Sequence, residues 1–72
     1  MKLDLHGMKH MDVSKNVDMF LWEAMQKNLS NVEIVTGNSQ QMKDIVRDCV
    51  DDYGFTCTEQ FWNWGVLIIT LI

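Results

Sequence analysis

The chain reads as an α/β domain with the element order β-α-β-α-β-β, a four-stranded mixed sheet carrying two helices. Three observations predict it. Two segments have helical period, built on Val13/Val17/Phe20/Leu21/Ala24 and on Met42/Ile45/Val46/Cys49/Val50/Tyr53. Three short segments, around Leu3, Ile34 and Cys57, alternate or are rich in β-branched residues. A nearly continuous apolar run, Val66-Leu67-Ile68-Ile69, comes last. Periods of 3.6 and 2 are the primary sequence signals of helix and strand.

The elements follow in order. Lys2 to Gly7 alternates, with Leu3 and Leu5 on one side and Asp4 and His6 on the other. The first helix is expected from about His10 to Leu29. Asp12 lies in its first turn, where the helix dipole favours a carboxylate, and Ser30-Asn31 stops it. Met19 and Trp22 lie off its apolar stripe, on the opposite side from Val13 and beside Lys15. Val32 to Thr36 is a β-branched strand closed by Gly37-Asn38-Ser39. The second helix runs from about Gln40 to Tyr53, with Asn38 or Ser39 as N-cap and Gly54 as the residue after the C-cap. Its wet face is expected to be Lys43, Asp44, Arg47, Asp48, Asp51 and Asp52. Phe55 to Glu59 alternates as a third strand. Gln60 to Gly65, with Phe61, Trp62 and Trp64, is expected to be a connection. The last strand, Val66 to Ile72, is apolar on both sides and belongs inside the sheet. Two crossovers make the first strands parallel, and the last two form an antiparallel hairpin.

Composition bounds the function. A chain of 72 residues is one domain, short of core, and marginal in stability. Its apolar fraction of 47% argues against disorder. The longest apolar run is far short of the roughly 20 residues of a membrane helix, and Asp4 precedes any apolar stretch, so no signal peptide or membrane partner is expected. With two Cys only, Cys49 and Cys57, this places the chain in a reducing cytoplasm with both thiols free. The net charge of −4 excludes tight, non-specific nucleic-acid binding by a basic field.

Two junctions carry chemistry. Asp4 and His6 end the first strand, and Thr36-Gly37-Asn38-Ser39 ends the second. Sites in open α/β sheets gather outside the carboxyl ends of strands. A helix N-terminus beside a Gly offers N–H groups to a phosphate. Histidine is suited to proton transfer, with a carboxylate orienting or charging it. His10 with His6 and Asp4 is a donor set suited to a divalent ion, but the spacing is no zinc signature.

Leu3-Asp4-Leu5-His6-Gly7, then a helix, then Ile34-Val35-Thr36-Gly37-Asn38-Ser39 before a second helix, resembles the Smr (small MutS-related) domain over essentially the whole chain. The resemblance implies a two-layer α/β sandwich, similar to the C-terminal domain of bacterial translation initiation factor three. It also implies nucleic-acid cleavage, either DNA nicking or RNA cutting. Asp4 and His6 would be the catalytic pair, and Thr36, Gly37, Asn38 and Ser39 the phosphate-binding loop. Mg²⁺ or Mn²⁺ are the ions such a site would take, and no dedicated metal ligands are assigned. The family's second motif commonly reads Thr or His, Gly, any residue, Gly, and here the last place is Ser39. That departure, and the neutral Asn38, Gln40 and Gln41, keep a second reading open: a non-catalytic Smr-like binding or interaction module. Nucleic acid bound weakly by the chain alone, a larger protein assembly, and a homodimer formed through Met19 and Trp22 are the expected partners.

Overall fold

The computed structural model describes residues 1–60 and 63–71, with residues 63 and 64 described by backbone alone. Its elements are β1 (Lys2–Asp4), α1 (His10–Gln26), β2 (Asn31–Val35), α2 (Gln40–Asp52), β3 (Thr56–Gln60) and β4 (Asn63–Thr70). The sheet order is β1-β2-β4-β3. β1 and β2 are parallel, and β4 runs antiparallel to both β2 and β3. The expected fold class and the interior place of the last strand are both observed.

The core is one layer of side chains between the helices and one sheet face. Ile34 pairs with Leu67 and Val32 with Ile69, so the strand period puts these four on the same side. Val13, Val17, Leu21 and Ala24 of α1 and Met42, Val46 and Val50 of α2 close over them. Ile45, Cys49 and Tyr53 are half-buried at its margin. Two polar contacts tie the helices together. The Tyr53 hydroxyl donates to an Asp18 carboxylate oxygen at 2.6 Å. Ser14 Oγ stands 3.5 Å from Cys49 Sγ.

The other sheet face is not a continuous apolar surface. Ile68 pairs with Glu33 on one side and Thr58 on the other, so polar neighbours flank it. The last strand is apolar along its own length, but the rows that cross it are mixed.

Three sequence expectations are corrected. α1 ends at Gln26, not Leu29. Asn28 takes a left-handed φ of 55°, and its N–H bonds to Met25 O while Leu29 N–H bonds back to Ala24 O. That is a Schellman closure with Asn in place of Gly. The same closure ends α2, with Gly54 in the left-handed place as expected and Phe55 N–H bonded to Val50 O. Secondly, Lys43 is not on a wet face. It is 5% exposed, and its Nζ lies 2.6 Å from Glu59 on β3. The long aliphatic stem covers apolar surface and the ammonium finds a carboxylate. Thirdly, β4 begins at Asn63, so Gly65 is inside a strand and not in a connection. A Cβ at Gly65 would stand 3.3 Å from Gly37 Cα. The glycine marks a close backbone approach, not a break. The three rings of the expected connection, Phe61, Trp62 and Trp64, have side chains that lie outside the described residues.

Candidate functional site at the carboxyl edge

β1 pairs with β2 through Asp4, and Leu5 N–H extends the ladder to Val35 O at 2.8 Å. There the chain turns away. Met8 N–H reaches back to Leu5 O at 2.9 Å, and Gly7 supplies the φ of 81° inside the turn. Asp4 Oδ1 accepts the His6 backbone N–H at 2.9 Å. The carboxylate therefore sets the backbone that carries His6, and among the described residues its second oxygen has no hydrogen-bond partner. Leu5 is fully buried, so this corner is nailed to the core while Asp4 and His6 stay exposed.

Beside it, β2 ends in the second motif. Thr36 is 2% exposed. Its hydroxyl donates to Gly37 O at 3.0 Å and lies 3.4 Å from Gly65 O. Its N–H also goes to Gly65 O, at 2.7 Å, and Gly37 N–H shares that acceptor at 3.2 Å. Thr36 is thus the anchor of the loop, fastened to β4. Gly37 has a left-handed φ of 66°, and a Cβ there would touch His6 Cδ2 at 3.4 Å. The two junctions singled out in the sequence therefore meet side chain to backbone.

Ser39 then starts α2. It has extended backbone (φ −75°, ψ 110°), and its Oγ accepts the Met42 N–H at 3.2 Å. This is the N-cap arrangement, and it needs no left-handed φ. Gln40 and Gln41 occupy the first helical positions, whose N–H groups have no partner within a helix. His10, the first residue of α1, comes from the other side, with its Nε2 at 3.4 Å from Ser39 Oγ. His6 and His10 thus flank the loop at Gly37 and at Ser39. Sequence reasoning considered His10 only as a metal donor. The signal it lacked was that α1 and α2 start side by side.

The electrostatics are local. Lys43 is one turn along α2 from the loop, but its charge is spent on Glu59. The Lys43 hydrogen bond holds the Glu59 carboxyl below its usual range, with Arg47 at 3.5 Å adding to the effect. Among the described residues no group of three or more His, Cys, Asp or Glu is placed to hold a metal ion. Cys49 and Cys57 are free thiols, and burial pushes the Cys57 thiol up. No helix of the described residues is long and apolar enough to cross a membrane.

The chain is a two-layer α/β sandwich whose two junctions lie side by side at the carboxyl edge of its parallel strands. The Smr domain family model matches residues 3–62, and the chain belongs to that family. Its fold is similar to the crystal structure of the Smr domain of Thermus thermophilus MutS2, with a TM-score of 0.86 at 19% identity, covering 99% of this chain and 96% of that one. No curated protein sequence matches the chain. The Smr family is associated with nuclease or nucleic-acid-binding activity in general.

Proposed function

We propose that this chain is a nucleic-acid-directed Smr domain that cleaves a phosphodiester bond, by DNA nicking or RNA cleavage, at the edge where Asp4, His6 and the Thr36–Ser39 loop meet. One observation carries the reading: the His6 ring lies against Gly37, 3.4 Å from where a Cβ would be. An imidazole at that place is within reach of a phosphate resting on the loop. His6 is the proton-transfer group. Asp4 holds the turn that presents it, with one oxygen free for substrate. Gly37, Asn38 and Ser39 form the phosphate-facing surface, and Thr36 fastens that surface to β4. A net charge of −4 makes binding by the chain alone weak, so an assembly that supplies affinity is part of the proposal.

The test is incubation of the purified chain with labelled single- and double-stranded DNA and RNA, with and without Mg²⁺ or Mn²⁺, beside Asp4→Ala and His6→Ala. Cleavage that His6→Ala abolishes at an unchanged melting temperature supports the reading. Cleavage that survives His6→Ala, or none by the parent at chain concentrations where fluorescence anisotropy shows the oligonucleotide bound, refutes it.

A second reading has its own observation. Met19 is 62% exposed and Trp22 59%. A large ring and a thioether side by side on a helix surface are the material of an interface. On this reading the domain is a non-catalytic interaction module or a homodimer joined through α1.

A further inference from the structure

Resting on the proposed phosphate-facing loop, we propose that His10 is a second histidine of this site, a binding residue that grips the backbone phosphate from the Ser39 end as His6 does from the Gly37 end. The argument begins with charge. The site must hold a polyanion in an acidic protein, yet Lys43 is buried and closed onto Glu59. Asp4 is itself acidic, and Asn38, Gln40 and Gln41 are neutral. Among the described residues, the two imidazoles are side chains that touch the loop and are able to carry positive charge.

The placement of His10 is enforced. Ser39 Oγ accepts from Met42 N–H at 3.2 Å, so its own proton and remaining lone pair are left for His10 Nε2 at 3.4 Å. The serine pins the ring beside the loop. His10 is half-exposed, and no salt bridge of the described residues includes it. A pinned, solvent-facing imidazole with no carboxylate partner is a donor available to a phosphate oxygen, and its protonated form makes the stronger, charge-assisted bond. Ser39 and His10 are therefore coupled: the hydroxyl that caps α2 also positions the ring.

The experiment is fluorescence anisotropy of a short labelled single-stranded oligonucleotide, in RNA and DNA versions, with the parent, His10→Ala, His10→Gln, Ser39→Gly, the His10→Ala/Ser39→Gly double variant, and Asn38→Asp. His10→Ala weakens binding about tenfold or more, the scale of one hydrogen bond to a charged group. His10→Gln, which keeps a bond to Ser39 and loses the charge, weakens it as well. The double variant is no weaker than His10→Ala alone, because Ser39 acts through the ring. Thermal unfolding of each variant separates loss of binding from loss of fold, and the half-exposed His10 variants keep the parent midpoint. If Asn38→Asp weakens binding while both His10 variants bind like the parent, the His10 proposal is overturned and the loop reading survives. If His10→Ala is weak and His10→Gln binds like the parent, the charge argument is overturned. If the parent does not bind, or Asn38→Asp changes nothing, the loop reading fails and takes this proposal with it.

Discussion

Gly65→Ala tests how the site is built, because it changes no exposed residue. The added Cβ would stand 3.3 Å from Gly37 Cα and 3.6 Å from both Gly37 C and Gly37 N. Carbon pairs are comfortable at about 3.5–4.0 Å, so β4 and the loop must part by a few tenths of an ångström. All three atoms met are backbone, and none swings away as a side chain would. The loop is also held to the same residue by the Thr36 and Gly37 N–H groups on Gly65 O. Separation lengthens the longer of these bonds first, the one from Gly37 at 3.2 Å. Forcing a methyl into a closed contact costs about 1–3 kcal/mol, and alanine's advantage over glycine in a strand offsets about 0.5–1 kcal/mol of it. The expected net loss is about 0–2.5 kcal/mol. A domain of this length holds roughly 4–11 kcal/mol in all, and each kcal/mol moves Tm by about 4–8 °C, so the midpoint should fall by up to about 20 °C. Thermal unfolding followed by circular dichroism measures this. Amide spectra should show Gly37, Asn38 and His6 displaced while the α1 amides around Val17 stay in place. An unchanged Tm together with unmoved Gly37 and His6 amides would refute the close-approach account of Gly65.

Three further outcomes follow from other contacts. Glu59→Ala should destabilise the domain more than Lys43→Met in urea unfolding, because removing the carboxylate strands a buried ammonium, whereas removing the lysine leaves the more exposed Glu59 beside Arg47; equal losses would sink that asymmetry. The hydrogen bond to Asp18 raises the Tyr53 hydroxyl from 10.0 to about 12, so its stabilisation is complete below the unfolded value and is lost as pH rises from about 10 through the folded value; Tyr53→Phe should flatten that alkaline limb of a pH–stability curve. Trp22→Glu should lower the mass seen by light scattering at micromolar concentration if α1 joins two copies, and an unchanged monomer mass in parent and variant would exclude the homodimer.

Much of this was legible because local signals agreed. Met42, Val46 and Val50 occupy one face at helical spacing, Ser39 caps and Gly54 closes, and the structure uses each as the sequence suggests. The two motifs were placed at one edge because parallel neighbours bring their carboxyl ends together, and His6 does meet Gly37. What escaped was non-local. Gly65 looks like punctuation until Gly37 is known to lie against it. Lys43 looks solvated until β3 brings Glu59 across. His10 belongs to the first helix and Ser39 to the second, and no periodicity within either announces that their N-termini are neighbours. Asn28 is the one local miss, since its αL propensity was readable in the chain.

Net charge bears on how strongly the whole chain binds a polyanion, but it does not describe the local surroundings of the loop. Debye screening confines exposed charges to about 8–10 Å at ordinary ionic strength, so Asp48, Asp51 and Asp52, two turns or more along α2, count for less at the loop than the groups that touch it, while Asp44 is tied to the Gln40 side chain at 2.9 Å. Of those groups, Lys43 is cancelled by Glu59 and Asp4 is half-committed to the His6 N–H. On the proposed reading, a phosphate would meet two imidazoles, a serine hydroxyl engaged in capping, and a backbone turn with no side chain at Gly37 to hold it off. Ser39 in place of the family's second glycine fits the same logic. Its φ of −75° shows that no glycine conformation is required there, and its hydroxyl reaches His10, which a glycine would leave unpinned. The departure from the motif therefore exchanges backbone freedom at one position for a positioned imidazole beside it, and the Ser39→Gly variant measures that exchange directly.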